Sequence, residues 1–168
     1  MCLALEQIYD AHADALYAFL LNCSRDHSLV QDTLQEVFLK LARSPSLLEK
    51  ARNPRSFLLR AAHNALRDLA RRSSARAPYE GTLSAEAPTL LAPLFPSDDD
   101  SFRLAVETAL HNLPGDQRAV LHLKLSENLT FAQIAEALEI SPHTAASRYR
   151  YALDKLRDVL RPVYEERL

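Results

Sequence analysis

The chain has 168 residues, 48% hydrophobic and 25% charged, with 20 Lys+Arg against 22 Asp+Glu. That length suits one average domain or two small ones, and the composition excludes a chain that is disordered throughout. No apolar run approaches the ~20 residues of a membrane span, and the start MCLALEQIYD lacks the basic-then-apolar plan of a signal peptide.

Only two glycines, with few long runs of β-branched residues, point to an all-α chain. Leu5, Ile8, His12, Leu16, Phe19 and Leu20 recur at helical spacing and predict a first helix near 3–23. The two cysteines, Cys2 and Cys23, make neither a disulfide framework nor a zinc pattern. They read as buried or incidental thiols of a reducing cytosol. After the break CSRDHS a second helix is expected near 28–43. Val30, Leu34, Val37, Phe38 and Leu41 share one side of it, and Asp32, Gln35, Glu36 and Lys40 lie largely off that side. Pro45 ends it.

Asn53-Pro54 announces the third helix, a capping side chain followed by proline at the first helical position. At about 100° per residue from Phe57, the residues Leu58, Ala61, Ala62, Ala65 and Leu69 fall between about 40° and 140°. Arg60, Asn64, Arg67, Asp68 and Arg71 fall between about 280° and 20°, with Phe57 at the edge of their face. An aromatic ring can stack on an unpaired base, an amide can bond a base edge, and arginines can hold phosphates. A solvated basic face beside a core phenylalanine explains the same pattern. His63 has no second His or Cys one turn away, so a metal site there is not expected.

Charge then changes sign along the chain. Residues 1–77 hold 11 Lys/Arg and 8 Asp/Glu, residues 78–102 hold none and 5, and residues 103–168 hold 9 and 9. The middle segment, PYEGTLSAEAPTLLAPLFPSDDDSF, carries four of the nine prolines and ends on Asp98-Asp99-Asp100. It reads as a linker. The expected fold class is therefore all-α. A three-helix block (1–77) and a four-helix block (103–168) are joined by an acidic, proline-containing linker (78–102).

The second block begins with the amphipathic run FRLAVETALHNL, closed by Pro114, followed by GDQRAVLHLKL and the turn SEN. Thr130 then caps FAQIAEAL, with Phe131, Ile134, Ala135 and Leu138 inward. Glu139 and Ile140 form a short turn, and Ser141-Pro142 starts a last helix that runs to about Arg161. From His143, the set Ala145, Tyr149, Ala152, Leu153 and Leu156 clusters between about 180° and 280°. His143, Ser147, Arg150, Tyr151 and Asp154 lie opposite. In a helix-turn-helix the second helix enters the major groove and its outer residues meet base edges. Arg150 is the candidate for a guanine contact, and Ser147 and Arg148 for phosphate or base-edge bonds. A hairpin used only for packing accounts for the apolar seam, but it does not require the double capping or the basic SRYR patch.

Taken together, LVQDTLQEVFLKL, NPRSFLLRAAHNALRDLARR and LPGDQRAVLHLKLSENLTFAQIAEALEISPHTAASRYRYALDKLR resemble the extracytoplasmic-function (ECF) sigma factors of bacterial RNA polymerase. The first block resembles the second conserved region of that family, and the last resembles its fourth. The resemblance implies a cytoplasmic, non-catalytic subunit with no cofactor or metal and no membrane insertion. Its partners would be core RNA polymerase (β′ clamp helices and β flap), promoter DNA and an anti-sigma protein. It implies that Asp32, Gln35, Glu36 and Phe38 dock on the polymerase clamp. Asn64 would receive a base flipped from the minus-10 element, with Phe57, Arg60, Arg67, Asp68, Arg71 and Arg72 around it. His143, Ser147, Arg148, Arg150 and Tyr151 would read the minus-35 element. The chain departs from the family at three places. Phe57 stands near where a Trp is usual, Ala146 replaces a common Lys or Arg, and Glu139 replaces the usual turn Gly. The acidic linker resembles the segment that threads toward the RNA exit path. Asp98–Asp100 would there mimic RNA phosphates, or serve only as a solvated tether. A stand-alone helix-turn-helix regulator is the competing expectation. It would bind duplex DNA without polymerase.

Overall fold

The computed structural model describes residues 2–76, 95 and 97–165, and among these it contains eight helices and no strand. The chain divides into two compact units. The first carries α1 (Cys2–Ser24), α2 (His27–Arg43), α3 (Ser46–Glu49) and α4 (Pro54–Arg76). The second is built on α5 (Asp100–Asn112), α6 (Gly115–Leu125), α7 (Phe131–Leu138) and α8 (Pro142–Glu165).

In the first unit α1, α2 and α4 pack on one another. Leu16, Phe19, Leu20, Val30, Val37, Leu41, Leu58, Leu59, Ala62 and Leu66 are buried between them. Asp26 begins α2 by accepting the Leu29 N–H at 3.1 Å, and Asn53 begins α4 by accepting the Ser56 N–H at 3.2 Å. Both satisfy donors that a helix start leaves orphaned. Two features depart from expectation. Pro45 does not simply end α2, because it opens the short α3. The buried stripe of α4 is also rotated: Leu59 and Leu66, at about 200° and 180° on the helical wheel, are buried, whereas Ala61 and Ala65 are only partly covered. The larger side chains exclude more water per residue, so they take the core and the alanines are left at its margin.

In the second unit Val106, Ala109, Leu110, Leu113, Leu121, Ala152 and Leu156 form one cluster, with Phe95, Phe102, Leu125, Tyr149 and Leu160 against it. The buried Arg118 donates to the carbonyls of Leu113 and, at 3.4 Å, His111. It thereby caps the C-terminal end of α5 with a positive charge. Two of the three consecutive acids belong to the start of α5. Asp99 accepts the N–H groups of Ser101 and Phe102 at 2.7 and 3.1 Å, and Asp100 sits in the first turn of α5 paired with Arg103. The rest of the expected linker, residues 78–94 and 96, lies outside the described residues. So does the Cys2 side chain, while Cys23 is a half-buried free thiol.

Candidate nucleic-acid interface

The rotation of α4 creates a cavity. Because Ala61 and Ala65 are small and only partly covered, a space of about 260 Å³ opens between α2, α3 and α4. Phe57, Val37, Leu41 and Leu47 supply apolar wall, and Arg60, Asn64, Asp68, Glu36 and Lys40 supply polar groups. Phe57, Arg60, Asn64 and Asp68 thus share one cavity. Arg67, Arg71 and Arg72 are exposed on the same helix outside it.

The α2 residues separate into two groups. At about 100° per residue from Val30, Gln35, Leu39 and Asp32 lie near 140°, 180° and 200°, and Glu36 and Lys40 near 240° and 280°. The first three line a groove with Tyr9 and Phe38, and the other two line the α4 cavity. Phe38 is buried with its ring edge-on to Tyr9, centroids 4.9 Å apart. It therefore lies on the apolar side of α2, where its spacing placed it, and lines the groove from beneath. Tyr9 and Leu39, which the sequence reading missed, are 51% and 49% exposed there. Leu39 was detectable, because a leucine directly opposite its helix's apolar stripe has no core to enter.

In the second unit the start of α7, the turn between α7 and α8, and the start of α8 are each held by local hydrogen bonds. Thr130 Oγ1 accepts the Gln133 N–H at 3.2 Å while Gln133 Oε1 accepts the Thr130 N–H at 2.9 Å, a reciprocal capping box. Phe131 stacks edge-on to Tyr149, with Lys124 Nζ 4.7 Å from its ring centre. Glu139 has φ 55°, the Ile140 N–H reaches the Ala135 carbonyl at 3.0 Å, and Ser141 Oγ accepts the Thr144 N–H at 3.0 Å.

On α8, Ala145, Ala152 and Leu156 are buried, and His143, Arg150 and Tyr151 are exposed on the opposite side with Ser147 half-exposed between them. Leu153 is 38% exposed and lines a groove with Phe131 and Tyr149, so it leaves the seam where the sequence placed it. It lies near 280°, at the margin of a seam centred near 200°. Arg148 sits near 140°, on the flank of α8, and pairs with Asp116 of α6 at 3.5 Å.

The sigma-70 region 2 profile matches residues 8–76, and the sigma-70 region 4 profile matches residues 109–158. RNA polymerase sigma factor CarQ of Myxococcus xanthus is 31% identical over 94% of this chain and 89% of its own length. The chain belongs to the ECF sigma factors of the sigma-70 family. ECF RNA polymerase sigma factor SigL of Mycobacterium tuberculosis is 29% identical, over 91% of this chain and 86% of its own. The fold matches the sigma factor RpoE of Bartonella quintana, solved in complex with the anti-sigma factor NepR, at a TM-score of 0.69. That match covers 93% of this chain and 96% of RpoE at 20% identity. This sigma factor accordingly acts in promoter recognition and transcription initiation. The region 2 match separates it from a stand-alone helix-turn-helix regulator. No helix among its described residues is long and apolar enough to cross a membrane.

Proposed function

We propose that the sigma factor divides its work between the α4 cavity and the outer face of α8. The first unit, residues 1–77, captures an unpaired minus-10 base. Phe57 stacks on it, Asn64 bonds its edge, and Arg60, Arg67, Arg71 and Arg72 hold the strand, with Asp68 at the cavity rim. The second unit, from Asp99 onward, reads the minus-35 element with His143, Ser147, Arg148, Arg150 and Tyr151. The observation that carries this reading is the cavity shared by Phe57, Arg60, Asn64 and Asp68.

Asp32, Gln35 and Leu39, with Tyr9 beside them, form the surface for the β′ clamp helices, and Glu36 borders it from the cavity side. The second unit docks on the β flap. No chemistry is assigned to the protein itself, since DNA opening needs only binding that favours the unpaired state. It works in the cytoplasm with core polymerase, and an anti-sigma protein of the kind bound by the similar RpoE is its inhibitor.

Permanganate footprinting of holoenzyme on a promoter tests the base-capture step. Phe57→Ala and Asn64→Ala should retain polymerase binding and lose reactivity of minus-10 thymines. Wild-type reactivity in both variants would remove the cavity from the mechanism.

A further inference from the structure

The recognition helix α8 carries several cations, and the structure treats them unequally. Arg150 is exposed and makes no ion pair among the described residues. Arg157 is paired with Asp154 at 3.2 Å within its own helix. Arg148, two residues from Arg150, is paired with Asp116, which comes from a different helix. Asp116 is the second residue of α6, and α6 packs against α8. The Arg148 side chain is 30% exposed and that of Asp116 69%. The pair therefore sits at the rim between core and solvent, on the flank of the DNA-facing helix.

An exposed ion pair contributes little to stability, about 0–1 kcal/mol. Its electrostatic consequence is larger than its energy, because the carboxylate cancels a charge that would otherwise meet a phosphate. Binding to duplex DNA without regard to sequence rests almost wholly on such charges. We propose that Asp116 is a built-in counter-ion that competes with DNA phosphate for Arg148 and so holds down sequence-independent binding by the free sigma factor. On random duplex the carboxylate keeps Arg148, and only a phosphate fixed beside Arg148 in the promoter complex displaces it, so that Arg148 then becomes a backbone contact. Arg150, which has no such competitor, reads base edges throughout. This inference rests on α8 being the helix that faces DNA.

The test is anisotropy of a labelled random-sequence duplex titrated with the full chain, without polymerase, at two salt concentrations. Neutralising one further phosphate steepens the dependence of log K on log salt by about 0.9. Asp116→Asn should bind more tightly than wild type, with an advantage that shrinks about 3.5-fold between ~50 and ~200 mM salt. Arg148→Gln should erase the gain, so that the double variant binds like Arg148→Gln alone. If Asp116 merely fastens α6 to α8, Asp116→Asn lowers the thermal midpoint and binds no tighter, which overturns the proposal. A gain that persists in the double variant also overturns it, by locating the effect away from Arg148. Arg150→Gln tests the underlying reading separately. If it leaves binding to a minus-35 promoter duplex unchanged, α8 does not face DNA. If it weakens binding while Asp116→Asn does nothing, only the counter-ion role fails.

Discussion

Glu139 holds a left-handed backbone at φ 55° in the turn of the helix-turn-helix. Such a conformation costs a residue with a Cβ about 1–2 kcal/mol, and glycine adopts it without that clash. The turn cannot easily relax. The Ile140 N–H is tied to the Ala135 carbonyl at 3.0 Å, and Ser141 must stay in place to cap α8 through the Thr144 N–H. Glycine also makes the unfolded chain more flexible, which offsets about 0.4–1 kcal/mol of the gain. The net expectation for Glu139→Gly is a unit more stable by about 0.5–1 kcal/mol. Glu139→Ala is the necessary control, because it removes the carboxylate but keeps the Cβ. For a unit of this size ~1 kcal/mol is about 4–8 °C in the thermal midpoint, well within reach of scanning calorimetry. Glu139→Gly should melt several degrees above Glu139→Ala. Equal midpoints, or a lower one for glycine, would mean that the left-handed turn imposes no strain. Asn128, at φ 52° before α7, is the internal comparison, since asparagine tolerates this region better than most residues.

Other consequences are open to direct measurement. Phe57→Ala should weaken capture of the minus-10 base by about 1–3 kcal/mol, the range for base–aromatic stacking, while Phe57→Trp restores it. A fluorescent base analogue in the minus-10 strand would read both. Arg150→Gln should relax discrimination at one minus-35 position by about 1–3 kcal/mol, seen as a flattened preference in a panel of single-base promoter variants. Uniform weakening across the panel would make Arg150 a phosphate contact. Thr130→Ala breaks the capping box and should cost about 1 kcal/mol in denaturant unfolding. Asp99→Ala should cost about as much and Asp98→Asn almost nothing, since Asp99 accepts the two N–H groups at the start of α5.

Helix starts were the most legible features of the sequence because their chemistry is local. The signals Asn53-Pro54, Thr130 and Ser141-Pro142 each correspond to hydrogen bonds at the starts of α4, α7 and α8, to which the structure adds the return bond from Gln133. Asp99 followed the same local rule, but the prolines and acids around it favoured a tether reading. The short α3 gave no signal, since four residues are too few for a periodicity. On α4 the apolar pattern identified a face but misjudged its centre. Counting apolar positions gives Ala61 and Ala65 the weight of Leu59 and Leu66, whereas burial favours the larger side chains. That difference decides the cavity, because small residues at the margin leave the space. The Arg148–Asp116 pair was hidden for another reason. Its partners are 32 positions apart, and only the packing of α6 on α8 brings them together.

The central claim is that this chain acts only as the specificity subunit of a polymerase, and reconstituted transcription tests it most directly. Core RNA polymerase and a cognate promoter fragment are combined with wild-type chain or with an Asp32→Ala/Gln35→Ala variant. The wild-type chain should convert inactive core into a promoter-specific transcribing enzyme. The variant should need far higher concentrations to do so and reach the same start site. Promoter-specific RNA that does not depend on the chain, or duplex binding that polymerase leaves unaltered, would contradict the account.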